Sequence, residues 1–375
     1  MNAHQDQMFG GQFHGRRVLV TGHSGFKGGW MSLWLSRLGA SVTGVSLPPE
    51  PGPSLYEASG LAAATDSRFA DIRDPAALSQ TLAGVDAEVL FHMAAQPLVR
   101  KSYREPAETF ATNVQGTVNV LEAARKMPSL KAVVVITSDK CYDNREWLWG
   151  YRENDPLGGK DPYSASKAAT ELVAQSYAHS FFADPQGPQL ATVRAGNVFG
   201  GGDWGEDRLV PDVIRAWAKG EAVEIRNPAS VRPWQHVLEP VSGYLQVAEK
   251  MLTGGAAYAG AWNFGPDVSS TVDVRQLAEM IQRAWGTGAP AFSFPDQVPD
   301  APHEAGILRL DSTKAQSRLG WRPRLSLQEA IDLTADWYKA HASGGNMAQT
   351  TAAQIEHFET LISSVEPDRP TVAAQ

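Results

Sequence analysis

The chain has 375 residues, 43% of them hydrophobic, enough to bury a large core and to form two domains or one elaborated α/β domain. Its net charge of -8 and pI near 5.6 argue against a protein that coats nucleic acid or an anionic membrane, although a local basic cluster can still hold a phosphorylated ligand. The single Cys141 excludes an internal disulfide framework and a cysteine metal cluster. No apolar run is long enough to span a bilayer, and the first 14 residues lack the pattern of a signal peptide, so the cytoplasm is the expected compartment.

Val18, Leu19 and Val20 make a short apolar run of the kind a doubly buried strand needs, and Thr21-Gly22-His23-Ser24-Gly25-Phe26-Lys27-Gly28 follows at once. Glycines at 22, 25 and 28 let the backbone turn sharply, approach a pyrophosphate and seat the next helix on the sheet. That helix is expected from near Gly25 through Trp30, Leu33, Trp34 and Leu38 to a stop at Gly39, with its free N–H groups facing the phosphates. The triplet alone is a weak signal. The strand before it and the helix after it make it a dinucleotide site and not merely a glycine-rich turn.

Ser41 to Leu47 reads as the second strand, ended by the proline-rich stretch 48–53. A dinucleotide fold usually closes this strand with an acid for the adenosine ribose. Ser46-Leu47-Pro48 has none and Glu50 is a weak substitute, so the usual sign of NAD over NADP is missing. The third strand, Arg68 to Ile72, ends in Asp71 and Ile72, which either meet the adenine or cap the following helix. Val89 to Ala95 is the fourth. Small Ala94 and Ala95 leave space for a cofactor at its carboxyl end, and His92 reads as a satisfied core histidine. A long helix from about Ala107 to Lys126 carries Asn113. Lys131 to Asp139 is the fifth strand, polar only at its far end, so Thr137, Ser138, Asp139 and Lys140 are aimed at a site outside the sheet's carboxyl edge.

In Asp161-Pro162-Tyr163-Ser164-Ala165-Ser166-Lys167, Asp161 is a good N-cap and Pro162 a good first helical residue, which puts Tyr163 in the first turn and Lys167 one turn later on the same face. A tyrosine that serves as a base near neutrality needs its pKa lowered by about 3 units, or about 4 kcal/mol. A neighbouring ammonium, the helix N-terminus and a cationic nicotinamide all push that way. Leu190 to Gly200 is the sixth strand and its exit. Beyond it the pattern loosens into a smaller α+β region where Arg208, Arg215, Arg226 and Arg232 gather positive charge, Arg232 being the best phosphate candidate. Ser326 to Ala342 is a final amphipathic helix, and the tail has one more helical stretch around Ile355 to Leu361 before disorder. The expected fold is α/β, a doubly wound Rossmann-type parallel sheet over 13–195 with return segments near 233–263. A smaller α+β substrate-binding domain lies mainly in 196–342, with tails at 1–12 and 343–375.

Thr-Gly-x-x-Gly-x-x-Gly at 21–28, Ala94-Ala95, Asn113 and Tyr163-x-x-x-Lys167 together resemble the extended short-chain dehydrogenases/reductases of the nucleotide-sugar-modifying branch. Gly22 to Gly28, Ser138-Asp139-Lys140-Cys141-Tyr142-Asp143-Asn144, Gly201-Gly202-Asp203-Trp204 and Arg232-Pro233-Trp234-Gln235-His236-Val237 are similar to the 4,6-dehydratases that take a cytidine-diphosphate (CDP) hexose. The resemblance implies NAD, held by Gly22, His23, Gly25, Phe26, Lys27, Gly28, Asp71, Ile72, Ala94, Ala95, Tyr163 and Lys167. It implies a CDP-hexose substrate held by Gln96, Asn197, Arg208, Arg232 and His236, and no metal. The implied catalytic set is Ser138, Asp139, Lys140, Tyr163 and Lys167. Tyr163 takes the 4-hydroxyl proton, Ser138 holds that hydroxyl and Asp139 protonates the leaving 6-hydroxyl. Lys140 stands where thymidine- and guanosine-sugar dehydratases carry the glutamate that removes the C5 proton, and it would act as an amine made neutral by burial. Such enzymes pair through two long helices, here about 105–126 and 163–183, which implies a homodimer or a dimer of dimers through a four-helix bundle. Two other readings stay open. One is a nucleotide-sugar 4-epimerase, which needs no acid for a leaving hydroxyl; the other is a cofactor-sensing protein without chemistry.

Overall fold

The computed structural model describes residues 5–225, 227–294 and 308–364. The chain alternates β1 (Arg17–Thr21), α1 (Phe26–Arg37), β2 (Ser41–Ser46), β3 (Asp66–Phe69), β4 (Val89–His92), α2 (Gly116–Ala124), β5 (Ala132–Ile136), α3 (Pro162–Ser180), β6 (Gln189–Arg194), α4 (Leu238–Gly254) and β7 (Gly260–Asn263). Helices α5 (Leu327–Ala342) and α6 (Met347–Ser363) follow. The seven strands pair in parallel in the order β7-β6-β5-β4-β1-β2-β3, so the strand order reverses beside β1 and opens a crevice at the carboxyl ends of β1 and β4. This is the doubly wound Rossmann-type sheet read from the sequence.

Both faces of the sheet are covered, which is why its central strands are apolar throughout. Along β5, Ala132, Val134 and Ile136 join the core containing Trp30, Trp34 and Leu245, while Val133 and Val135 join the opposite core with Val120, Leu121 and Ala174. Beyond β6 a smaller layer carries the helices Leu209–Ala218 and Val274–Trp285 and an antiparallel ribbon of Val231–Pro233 with Thr271–Asp273. Arg226 lies outside the described residues.

Several elements depart from expectation for local reasons. The helix expected over 107–126 runs without a gap from Pro106 to Ala124, with a π turn at Ala111–Gln115 inside it. The wide turn directs Asn113 into the protein, where its Oδ1 accepts from the Gln96 amide at 2.8 Å and its Nδ2 donates to Ser166 Oγ at 2.8 Å. The third strand stops at Phe69 because Asp71 takes the Arg73 amide and Asp74 caps the next helix. β4 and β5 end early, leaving Ala94, Ala95, Ser138 and Asp139 in the loops at the carboxyl edge. Among the described residues no helix is long and apolar enough to cross a membrane.

The segment expected as a C-terminal tail is docked structure. Met347, Thr351, Ile355 and Phe358 recur at helical spacing and are all buried, so α6 has a face to lay against α1. Glu359, 2% exposed, accepts from the Trp34 indole N–H at 3.0 Å and from Arg37 Nε at 3.1 Å. At the other terminus Met8 is buried and receives the Ser363 hydroxyl at 3.5 Å. The expected disorder falls largely on 365–375, outside the described residues. Glu359→Ala removes the acceptor from a buried indole and one partner from Arg37, and is expected to cost about 2–4 kcal/mol in urea unfolding. A loss below about 0.5 kcal/mol, the size of an ordinary surface substitution, would show that this carboxylate does not hold α6 in place.

Candidate active site

The turn between β1 and α1 is closed by sterics. At Gly22, with φ +78°, a Cβ would stand 2.7 Å from the Ala94 nitrogen; at Gly28 it would stand 2.0 Å from the Gly22 carbonyl oxygen. Gly25 is the N-cap of α1 and supplies no side-chain hydrogen bond, so the first N–H groups of the helix face a cradle lined by glycine and by Ala94. That cradle fits a dinucleotide pyrophosphate. His23 does not point into it. Its ring lies back on β2 and β3, with Nδ1 3.1 Å from Ser46 Oγ and Nε2 3.0 Å from Ser67 Oγ, and burial lowers its pKa to about 4. The end of β2 therefore carries hydroxyls of Ser46 and Ser24, 2.8 Å apart, where an acid usually stands, and Glu50 is exposed in the loop beyond. Asp71 is held by Arg73 at 2.8 and 2.6 Å, and Ile72 is buried against the Gly116 turn. His92 is the satisfied core histidine expected, between Thr21 Oγ1 at 2.7 Å and Thr117 Oγ1 at 3.0 Å.

The carboxyl end of β5 meets the start of α3. Ser138 caps the single turn Asp139–Cys141, accepting from the Lys140 amide at 3.2 Å and donating to Asp139 Oδ1 at 2.9 Å. Asp139 is buried, its Oδ2 has no hydrogen-bond partner among the described residues, and a Cβ on Gly196 would fall 1.8 Å from that oxygen; glycine at 196 leaves the carboxylate its space. Asp161 caps α3 through the Ser164 amide at 2.9 Å, with Pro162 in the first turn. The Tyr163 hydroxyl hydrogen-bonds with Ser138, and Lys167 Nζ donates to the Ile136 carbonyl at 3.3 Å.

The electrostatics correct two expectations. Tyr163 is not lowered in the unliganded protein: burial pushes it up to about 12, against the Ser138 hydrogen bond and with help from the Asp139 charge. Lys140 is not buried either. Its side chain is 33% exposed, with Nζ 4.0 Å from Asp139 Oδ1. The amines drawn down are Lys167 and Lys27, both to about 8, chiefly by burial. Lys27, from the first turn of α1, reaches the charges of Arg208, Asp139, Asp203 and Lys140, so the glycine turn and the β5 end share one cleft.

Of the residues expected to hold substrate, Arg208 is in this cleft, its Nη1 donating to both oxygens of Asp203 at 2.8 and 2.9 Å. Asn197, at φ +50° on the β6 exit, has a buried Nδ2 without an acceptor among the described residues. Arg232 stands half-buried on the 231–233 ribbon. Gln96 and His236 do not fit their expected roles. The Gln96 amide is consumed by Leu98 and Thr109, and His236 is a fully buried ring between Trp30 and Phe199, held neutral by burial, with its pKa lowered to about 3. Arg215, grouped with these cations, is bound to Asp212 and the Trp204 carbonyl. The sequence reading missed the buried Glu171–Arg194 pair beneath the site, at 2.7 Å; the available signal was that Glu171 continues the four-residue spacing of Tyr163 and Lys167.

Residues 19–334 match the family model for GDP-mannose 4,6 dehydratase. The chain is 49% identical over 350 residues to a CDP-glucose 4,6-dehydratase of Salmonella typhimurium, covering 92% of this chain and 97% of that protein. It is 27% identical over 331 residues to a dTDP-glucose 4,6-dehydratase of Xanthomonas campestris, with 85% and 92% covered. Among solved structures, MoeE5 in complex with UDP-glucose and NAD superposes with a TM-score of 0.70 at 26% identity, and the UDP-glucose 4-epimerase of Thermotoga maritima with 0.73 at 24% identity; each spans 87% of this chain and 99% of its own. The chain belongs to the GDP-mannose 4,6-dehydratase family, within the nucleotide-sugar-modifying extended short-chain dehydrogenases/reductases.

Proposed function

We propose that the protein is an NAD-dependent 4,6-dehydratase of a nucleotide-activated hexose, with CDP-glucose as substrate and its 4-keto-6-deoxy derivative as product. The observation that carries this reading is the free Oδ2 of buried Asp139 beside Tyr163, because an acid for a leaving hydroxyl is what a dehydratase needs and a 4-epimerase does not. The cytidine nucleotide is supported by the Salmonella relative.

Bound NAD supplies the hydride acceptor for C4 and the donor for C6. The residues of this chain do the rest. Tyr163, hydrogen-bonded to Ser138, takes the 4-hydroxyl proton, and the resulting ketone acidifies C5. Asp139 gives its proton to the 6-hydroxyl as water leaves, and Lys140, on the same turn, takes the C5 proton as a neutral amine and gives one back to C5 when the hydride adds at C6. Gly22, Gly25 and Gly28 with the α1 N-terminus would hold the cofactor pyrophosphate, and Asn197, Arg208 and Arg232 the nucleotide diphosphate, whose binding energy is spent far from the reacting carbons. We also assign a homodimer through the helices near 105–126 and 163–183. The exposed apolar side chains of Tyr103, Phe110, Leu172 and Phe181 support it, and light scattering decides it.

Incubation with NAD and, separately, CDP-, dTDP- and UDP-glucose in deuterium oxide is expected to give a 4-keto-6-deoxy sugar from CDP-glucose, with deuterium at C5, by NMR. Formation of a 4-epimer without label at C5 would replace the dehydratase by the epimerase. In the same assay Asp139→Asn is expected to lose about 10²–10³ in kcat; a wild-type rate removes Asp139 as the acid. Lys27 and Lys167 are ammonium below their pKa of about 8 and neutral above it, so kcat/KM is expected to fall as the pH rises through that value. A profile level to about pH 9.5 would show that neither charge is needed in the free enzyme.

A further inference from the structure

Beneath Ser138, Asp139, Tyr163 and Lys167 lies a charged pair that the reaction does not touch. Glu171 and Arg194 are both 0% exposed. Glu171 Oε1 accepts from Thr137 Oγ1 at 2.5 Å and Arg194 Nε at 2.8 Å; Oε2 accepts from Thr192 Oγ1 at 2.8 Å and Arg194 Nη2 at 2.7 Å. Arg194 Nη1 donates to the Tyr142 hydroxyl at 2.6 Å and the Glu153 carbonyl at 3.2 Å, and Tyr142 in turn donates to Asn263 Oδ1 at 2.8 Å. One carboxylate and one guanidinium thus join α3 to the ends of β5, β6 and β7 and to the loop after Cys141.

Stability alone does not call for this arrangement. A buried ion pair is often replaced by well-packed apolar side chains at no loss, because desolvation offsets most of the attraction. What apolar side chains do not supply is direction. Thr137 immediately precedes Ser138 and Asp139, Arg194 lies two residues before Gly196, and Glu171 is one helical turn from Lys167. The hydrogen bonds therefore fix these three backbones against one another at the level of the reacting groups.

We propose that Glu171 and Arg194 are positioning residues for the dehydration proposed above, on which this inference rests: they lock the turn carrying Ser138 and Asp139 against the Tyr163–Lys167 edge of α3. Glu171 also acts on Lys167 through space. Lys167 is faced by Lys27 from α1, His92 from β4 and Cys141 from the turn after β5, with Tyr163 and Glu171 on its own helix. Burial and Lys27 draw its proton off, and Glu171 holds it.

The test is the paired variant Glu171→Met with Arg194→Met, which leaves neither charge uncompensated. It is expected to melt close to the wild type and to bind NAD within about threefold, yet to lose about 30–100-fold in kcat with KM nearly unchanged, since misplacement by about 1 Å costs about that much. The Lys167 titration, followed by its 13Cε shift and assigned with Lys167→Arg, is expected to move down by about half a unit or more. A kcat within about threefold of wild type together with an unmoved Lys167 would reduce the pair to packing and overturn the proposal. Should the paired variant not fold, Thr137→Val cuts the link from Glu171 to the turn, together with the longer 3.3 Å contact of the same hydroxyl with the Val193 carbonyl: a loss of about tenfold in kcat supports the proposal, and no loss overturns it. A wild-type protein that dehydrates none of the three nucleotide hexoses defeats the dehydratase reading itself, and the Lys167 titration, which needs no substrate, then judges the pair separately.

Discussion

A side chain has no room at Gly28. The carbonyl of Gly22 occupies the place a Cβ would take, and that close approach turns the chain from β1 into α1 within a few residues. The rest of the site depends on it, because it delivers both the open N–H end of α1 and the amine of Lys27 to the carboxyl edge of the sheet. The far side of α1 is tied down with equal care. Trp30 donates to the Gly201 carbonyl at 2.9 Å and Trp34 to Glu359 of α6. The end of the helix that faces a phosphate is thus aimed by hydrogen bonds made one and two turns away, some of them from the last described helix of the chain.

The cleft so formed is short of negative charge. Lys27, Lys140, Lys167 and Arg208 bear on it, against the carboxylates of Asp139 and Asp203. Burial brings Lys27 and Lys167 down to about 8, so near neutrality each holds its proton by a narrow margin. A pyrophosphate placed among them adds the missing anion and raises both values, since an opposite charge nearby favours the charged form. By linkage the same protons strengthen binding of the anion. An acidic protein can therefore hold two diphosphate ligands without a basic surface: the positive charge is concentrated where desolvation makes each contact stronger.

Much of this was legible in the sequence because it was written in local chemistry. The apolar runs of β1, β4 and β5, the Asp161-Pro162 start of α3 and the glycines at 22 and 28 each follow from rules that act over a few residues. The parts that were not legible depend on groups distant in the chain. Asn113 reaches the Gln96 backbone from a π turn within its helix, Glu359 meets Trp34 across most of the sequence, and Glu171 finds Arg194 only once α3 and β6 are side by side. Two site assignments failed for the same reason. Gln96 and His236 lie next to functional stretches, and only the fold shows that Leu98 and Thr109 use up the one amide while Trp30 and Phe199 close over the other ring. Lys140 failed in the opposite direction, staying partly in solvent where burial was expected.

The high pKa of Tyr163 looks at first like an obstacle to a base, and its causes show how the obstacle is removed. Burial is the largest, and the charge of Asp139 adds to it, while Ser138 opposes both. The same Ser138 donates to Asp139, so a chain of hydrogen bonds runs from the phenol through the serine to the carboxylate. In the proposed reaction Asp139 must carry a proton before it can give one to the 6-hydroxyl, and an Asp139 in that state no longer raises the phenol by its charge. A protonated Asp139 therefore eases loss of the phenol's proton. A cationic nicotinamide bound near Tyr163 would favour the phenolate as well. In the proposed reaction the phenolate is thus favoured by the protonated acid and by the cofactor together, against the burial that raises Tyr163.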